Sequence, residues 1–88
     1  MKKEFYNIAN LVTKNAKILD VGCGNGELMK YITENISKDI RGIELSKLNV
    51  QKCVEKGLTV IEGDAEKDLR QFPDNSFDFV ILSQTLQA

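Results

Sequence analysis

Apolar side chains follow two patterns along the chain, and segments with one pattern alternate with segments that have the other. In some segments they come every third or fourth residue, as on one face of an amphipathic helix, and in others they form short runs typical of buried strands. The predicted helices cover residues 4–13, 27–35 and 47–56, with a further helical turn at 65–70. The predicted strands cover residues 17–21, 39–44, 58–62 and 77–82.

Residues with strong backbone preferences lie between these segments. Asn15 ends the first helix, and Ser46 is suited to the N-cap of the third. Gly57 follows that helix, where a left-handed residue is expected. Residues 73–76 read Pro-Asp-Asn-Ser, which favours a turn. The last strand is apolar on both faces, as expected for a strand covered by helices.

Strands that alternate with helices predict an α/β fold, in which right-handed crossovers build a Rossmann-like doubly wound parallel sheet of about four strands. Such a sheet would leave an apolar strand bare at one edge. We therefore expect residues 1–88 to be a single partial domain, the N-terminal half of a larger fold. A complete minimal domain is the alternative.

Composition narrows the class of protein. The chain has 88 residues, of which 42% are apolar and 28% charged, as in globular domains. Its net charge of -1 gives no reason to expect a nucleic acid or a membrane surface as partner, and neither a membrane span nor a signal peptide is expected. Cys23 and Cys53 lack partners at metal-ligand spacing, and there is no histidine. We expect two buried thiols, no metal site and a cytoplasmic protein.

The candidate chemistry lies where the predicted strands end. Asp20 ends the first strand and precedes a turn with glycine at every second position. Glu44 ends the second strand, Asp64 follows the third, and Ser83 and Gln84 follow the fourth. The carboxyl ends of parallel strands meet at one edge, where open α/β sheets bind ligands. We therefore expect these side chains to surround a single site.

The charge of these groups indicates the charge of the ligand. Carboxylates around a glycine turn would repel a dinucleotide pyrophosphate and attract an adenosine with a positive tail, such as S-adenosylmethionine. The Gly22-x-Gly24-x-Gly26 spacing also differs from the G-x-G-x-x-G of dinucleotide-binding proteins, and no Gly-Lys-Ser/Thr of a P-loop follows. A turn that only lets strand and helix pack closely is the alternative.

These segments resemble class I S-adenosylmethionine-dependent methyltransferases over residues 17–83. The matching motifs are the glycine motif at 18–26, the acidic strand end at 42–44, the turn at 63–65 and the segment at 72–80. Residues 53–64, and above all the ending Leu-Ser-Gln-Thr-Leu-Gln-Ala at 82–88, are similar to the methionine biosynthesis protein MetW family. That family is associated with homoserine O-acyltransferase, and its members are longer than this chain.

The resemblance implies a role for each matching residue. Glu44 would bind the ribose of S-adenosylmethionine, Leu45 would pack on the adenine, and Asp64 would accept from the adenine amino group. Asp20, Gly22 and Gly24 would hold the methionine part, and Ser83 would lie beside it. The full set of implied cofactor-binding residues is Asp20, Gly22, Cys23, Gly24, Glu44, Leu45, Asp64, Ala65 and Ser83.

Two functions remain open at this point. The first is a methyltransferase that acts on an unknown small molecule, with no catalytic residue that the sequence identifies. The second is a non-catalytic cofactor-binding partner that activates homoserine O-acyltransferase. A chain that does not fold stably by itself is a third possibility.

Overall fold

The computed structural model describes residues 1–68, 70, 72–73 and 76–83, which form a parallel sheet with helices packed against it. The helices are α1 (Lys3–Leu11), α2 (Glu27–Asn35), α3 (Lys47–Glu55) and α4 (Ala65–Asp68). The strands are β1 (Ile18–Val21), β2 (Ile40–Glu44), β3 (Val60–Glu62) and β4 (Phe79–Leu82). Each predicted helix and strand is present. The bounds of α2 are as predicted, α1 differs by one residue at its start and two at its end, and the other elements differ by one or two residues at one end. Residue 69 of the predicted turn at 65–70 lies outside the described residues.

The four strands are parallel and lie in the order β3-β2-β1-β4. β1 pairs with two strands, so that Ile18 lies opposite both Ile40 of β2 and Phe79 of β4. This order confirms the predicted Rossmann-like α/β sheet, because crossovers carry the chain to both sides of β1. It also brings the carboxyl ends of all four strands to one edge.

Alternate residues of each strand face opposite sides of the sheet. On one side, Ile18 and its register partners pack with apolar residues of α1, α2 and α3 in the main core. On the other side, Leu19, Val21 and Ile43 form a smaller cluster. The buried members of the main core are Phe5, Ala9, Val12, Ala16, Ile18, Cys23, Leu28, Met29, Ile32, Ile40, Cys53, Leu58 and Ile81.

β4 forms one edge of the sheet, and its two faces differ in burial. Ile81 is buried in the main core, whereas Val80 and Leu82 are each 52% exposed. In the described part of the chain, β4 is therefore well covered on one face only, in contrast to the expectation from its apolar sequence.

The residues predicted to cap or end the helices and strands are found at the ends of these elements. Ser46 Oγ accepts a hydrogen bond from the N–H of Asn49 at 3.3 Å and caps α3. Gly57 has a φ of 79° and Asn15 a φ of 61°, so both adopt the left-handed conformation. Pro73 accepts a bond from the N–H of Ser76 at 3.2 Å, while residues 74 and 75 of the predicted turn lie outside the described residues.

None of the helices in the described ranges is long and apolar enough to cross a membrane.

Two glycines with the same backbone conformation differ in the space around them. Gly26 begins α2 at a φ of 85°, and a Cβ there would lie 2.5 Å from Leu58 Cδ1 and 2.9 Å from Cys53 Sγ. Gly57, at a φ of 79°, has no atom within 4 Å of such a Cβ. Substitution of each glycine therefore distinguishes the cost of backbone strain, which both positions share, from the cost of steric crowding, which only Gly26 has.

We expect Gly57→Ala to lower the free energy of unfolding by about 1 kcal/mol, the cost of a left-handed alanine. Gly26→Ala should lower the free energy of unfolding by the same amount and by about 1–3 kcal/mol more, because the added methyl group overpacks the core. Urea unfolding of the two variants and the parent chain, followed by circular dichroism, measures the difference. Equal losses would show that the space beneath Gly26 is not tight.

Candidate ligand-binding site

A cavity of about 260 Å³ opens at the edge of the sheet where the strands end. Its lining residues are Val21, Gly22, Ile43, Glu44, Leu45, Gly63, Asp64, Ala65 and Leu82. Five residues of the predicted set therefore line one cavity: Gly22, Glu44, Leu45, Asp64 and Ala65. The remaining four are buried and outside its lining: Asp20, Cys23, Gly24 and Ser83. The fifth predicted strand-end residue, Gln84, lies outside the described residues.

The N–H groups of the glycine turn donate to the neighbouring strand. Gly22 and Cys23 both donate to the carbonyl oxygen of Ile43, at 2.8 and 3.2 Å. Gly24 donates to Glu44 Oε1 at 2.8 Å. These bonds are possible because the turn runs close beside the end of β2, with Gly22, Gly24 and Gly26 all at positive φ.

The carbonyl groups of the same turn accept from side chains of other elements. Gly22 O accepts from Ser83 Oγ at 3.1 Å. Gly24 O accepts from Cys53 Sγ at 3.3 Å, and Asn25 O accepts from Lys56 Nζ at 2.7 Å. Side chains from the end of β4 and from the C-terminal end of α3 therefore fix the orientation of the turn.

This pattern of bonds bears on the charge of any ligand. A glycine turn that holds a phosphate does so with free N–H groups at a helix N-terminus. Here the N–H groups of Gly22, Cys23 and Gly24 are taken, and that of Glu27, at the start of α2, donates to Asn25 Oδ1 at 3.2 Å. The turn is therefore not arranged as a phosphate cradle, in agreement with the sequence-based preference for a cationic ligand.

Glu44 joins two parts of the site. Its Oε1 accepts from Gly24, and its Oε2 accepts from the N–H of Ser46 at 2.9 Å, just before α3. The side chain is largely buried but lines the cavity. Each carboxylate oxygen has a second lone pair, so Glu44 can still accept hydroxyl groups of a ligand.

Asp20 and Ser83 form a buried pair behind the glycine turn. The hydroxyl of Ser83 donates to Asp20 Oδ1 at 2.5 Å, and Asp20 itself is 0% exposed. Asp20 Oδ2 has no hydrogen-bond partner among the described residues. Burial raises the pKa of Asp20 from 3.8 to about 7, against the lowering effect of the Ser83 hydrogen bond and together with the nearby charge of Glu44. The carboxyl is therefore close to half protonated at neutral pH.

Asp64 and Leu45 border the cavity from the loops after β3 and β2. Asp64 Oδ1 accepts from the N–H of Glu66 at 2.9 Å and so fixes the start of α4. Leu45 is 70% exposed, although it is apolar. An exposed leucine beside a cavity offers an apolar surface to a flat ring.

Both cysteines are buried and free, as expected. Cys23 Sγ lies 3.8 Å and Cys53 Sγ 3.3 Å from the carbonyl oxygen of Gly24. Burial raises the pKa of both thiols, which keeps them protonated and poorly nucleophilic. No group of three or more His, Cys, Asp or Glu side chains in the described ranges is placed to hold a metal ion.

The sequence did not single out two residues that orient the turn, Cys53 and Lys56. Both lie on or just after α3, about thirty positions from the carbonyls they contact, at separations of 29 and 31 residues. Ser46 offered a local signal as an N-cap, but its bond to Glu44 did not follow from that signal.

Comparison with known proteins identifies the family. Residues 2–88 match the family described as methionine biosynthesis protein MetW, and the chain therefore belongs to it. The bifunctional methionine biosynthesis protein MetXA/MetW of Rhodopirellula baltica is 32% identical over 90 residues, covering 93% of this chain and 14% of the relative. Phosphoethanolamine N-methyltransferase 3 of Arabidopsis thaliana is 33% identical over 88 residues, covering 96% and 18%. The chain spans less than a fifth of these curated relatives.

Solved structures place the fold among class I methyltransferases. The TehB-like SAM-dependent methyltransferase from Corynebacterium glutamicum matches with a TM-score of 0.73 and 26% identity. The match covers 88% of this chain and 41% of that one.

The buried carboxyl of Asp20 makes the stability of the fold depend on pH. The folded chain holds this proton more tightly than the unfolded chain, because the pKa rises from 3.8 to about 7 on folding. Stability is therefore lost as the pH rises through this interval, by up to about 4 kcal/mol. We expect Asp20→Asn to be more stable than the parent chain at about pH 8, and the difference to vanish near pH 4. Urea unfolding at several pH values tests this, and a difference that did not change with pH would contradict it.

Proposed function

We propose that this member of the MetW family is a methyltransferase-like protein that binds S-adenosylmethionine in the cavity at the carboxyl edge of the sheet. The observation that carries the proposal is the glycine turn with its N–H groups already bonded, beside a cavity lined by Glu44 and Asp64. A site of this kind favours a cationic adenosine over a pyrophosphate. The likeness to a SAM-dependent methyltransferase supports the same ligand.

Each lining residue has a chemistry that fits one part of this ligand. Glu44 would accept the ribose hydroxyls, Leu45 would cover the adenine ring, and Asp64 would accept from the adenine amino group, with the backbone N–H of Ala65 beside it. The glycine turn would border the methionine part. Cys23, Gly24 and Ser83 would then support the site from behind, since each is buried outside the cavity lining.

Bound S-adenosylmethionine supplies a methyl group on an already activated sulfonium, so a protein that uses it needs chiefly to position it. The lining residues suit that task, because they are hydrogen-bond acceptors and apolar groups held in place by the turn and by α3. We further propose that residues 1–88 are the cofactor-binding half of a larger domain, in line with the 41% of the solved methyltransferase that the chain matches.

We also propose a role in methionine biosynthesis, which membership of the MetW family supports. A second function within that process is supported by one observation. In Rhodopirellula baltica a single bifunctional polypeptide is named both MetXA and MetW. Two proteins joined in one chain are always present together in the cell. Because the family resemblance also implies an association with homoserine O-acyltransferase, we propose that enzyme as a partner. In this alternative the ligand site senses S-adenosylmethionine and modulates the partner without methyl transfer.

Two exposed leucines near the site allow a matched test of ligand binding. Leu45 lines the cavity and is 70% exposed, whereas Leu48, on α3, is 61% exposed and outside the lining. We expect S-adenosylmethionine to bind the parent chain and raise its melting temperature, and Leu45→Ala to weaken binding by about 1–2 kcal/mol through the loss of apolar contact. Leu48→Ala should bind as the parent chain does.

Isothermal titration calorimetry measures these affinities, with NAD⁺ as the ligand that should not bind. Absence of heat and of a melting shift at saturating S-adenosylmethionine would overturn the assignment of the cofactor. Equal losses in the two leucine variants would remove Leu45 from the site.

The partner hypothesis has a separate readout. Added to purified homoserine O-acyltransferase, the protein is expected to raise the acyl-transfer rate several-fold, and mass spectrometry should find no methylated product. An unrelated protein of similar size serves as the control. An unchanged acyl-transfer rate, with and without S-adenosylmethionine, would exclude this function.

A further inference from the structure

We propose that binding of the cationic ligand releases a proton from the buried carboxyl of Asp20, so that pH controls how much of this site is occupied. The inference rests on the proposed function, since it needs a positively charged ligand beside the glycine turn. It adds a regulatory property to the site and assigns Asp20 a role other than direct contact.

The position of Asp20 is unusual for a carboxyl group. Its side chain is 0% exposed, at the end of β1, and one oxygen has no hydrogen-bond partner in the described part of the chain. Buried carboxylates are ordinarily paired with a cation or with several donors. Within the described ranges, the donor to Asp20 is the hydroxyl of Ser83, which also contacts the carbonyl oxygen of Gly22, a residue that lines the cavity.

Among the residues that the structure describes, no cation is paired with Asp20. Its register partners on β2 and β4 are Gly42 and Ile81, which carry no charge. The carboxylate of Glu44 raises the pKa of Asp20 further, and Asp20 in turn raises the pKa of the thiols of Cys23 and Cys53. The helices α1, α2 and α3, which cover the side of the sheet that Asp20 faces, contribute apolar side chains to the main core there. The ammonium group of Lys56, which contacts the glycine turn, donates its hydrogen bond to Asn25 O and not to Asp20.

A carboxyl in these surroundings holds its proton up to about neutral pH, because burial disfavours the charged form and the nearby charge of Glu44 adds to that effect. A positive charge bound against Gly22 would act on Asp20 across Ser83, whose hydroxyl contacts both Gly22 O and Asp20 Oδ1, and screening is weak at such buried positions. The pKa of Asp20 would then fall. The O–H bond breaks, the electron pair stays on the carboxylate, and the proton passes to the solvent, so no other reactant is required.

This coupling gives the site a defined dependence on pH. Below about pH 7 the ligand must displace a proton from Asp20. Its association constant should therefore fall by up to about tenfold for each unit by which the pH is lowered. Above that pH the carboxylate is already charged, and Asp20 adds no further dependence. The buried carboxyl therefore acts as a sensor of acidification.

Calorimetric titration with S-adenosylmethionine at about pH 6, in two buffers of different ionisation enthalpy, counts the protons released. At this pH an α-amino group is fully protonated before and after binding, so the ligand contributes none. We expect the parent chain to release close to one proton, and Asp20→Asn to release none and to bind with an affinity that hardly changes between about pH 5.5 and 6.5, where the α-amino group of the ligand stays charged. Glu62→Gln, which removes an exposed carboxylate from the end of β3, should release as many protons as the parent chain.

A second variant keeps the test decisive if Asp20→Asn binds too weakly. Ser83→Ala removes the hydrogen bond that lowers the pKa of Asp20, so at about pH 8 this variant should release more protons than the parent chain. Binding without proton release at pH 6, or equal release by Asp20→Asn, would overturn the inference and leave the proposed function intact. Absence of binding at every pH would overturn the proposed function itself.

Discussion

The two hydrogen bonds of the Glu44 carboxylate hold the site in shape. One oxygen accepts from Gly24 in the turn before α2, and the other accepts from Ser46 in the turn before α3. Without this carboxylate both N–H groups would lose their acceptor, which costs about 1–3 kcal/mol for each buried donor. A single side chain therefore sets the relative position of two helix starts and supplies negative charge to the cavity between them.

The peptide groups of the glycine turn show why a glycine-rich strand–helix junction need not bind phosphate. Glycine allows the turn to pass close to β2, but that closeness directs its N–H groups at Ile43 O and Glu44 rather than outward. The carbonyls are likewise held by Cys53, Lys56 and Ser83. What the turn presents to the cavity is a neutral, fixed wall, and the carboxylates at its border decide the sign of the ligand.

The sequence predicted the fold well because its signals are local. Periodicity and glycine placement located α2, and alternation of strands with helices predicted the parallel sheet. The start of β3 was misjudged at Leu58, because the N–H of Leu58 bonds to Cys53 O at 3.0 Å and that of Gly57 to Val54 O at 2.9 Å. These bonds close the end of α3, so Leu58 belongs to the helix end and to the main core.

The site was predicted less completely than the fold. The rule for strand ends located Glu44 and Asp64, which line the cavity, whereas Leu45 and Ala65 followed only from the family resemblance. The same rule named Asp20 and Ser83, which are buried outside the lining. Their burial depends on contacts between residues far apart in the chain, which no local pattern encodes. The same is true of the contacts that Cys53 and Lys56 make with the glycine turn.

The contact between Asp20 and Ser83 joins residues 63 positions apart, and it has a consequence for the order of folding. β1 can pair with β2 once the first half of the chain is available, whereas pairing with β4 closes a far longer loop and comes late. In a chain whose last step is the docking of β4, the carboxylate would stay hydrated and charged while the earlier elements assemble. Docking of β4 would then carry the cost of burying that charge, and acidity would favour this step of folding.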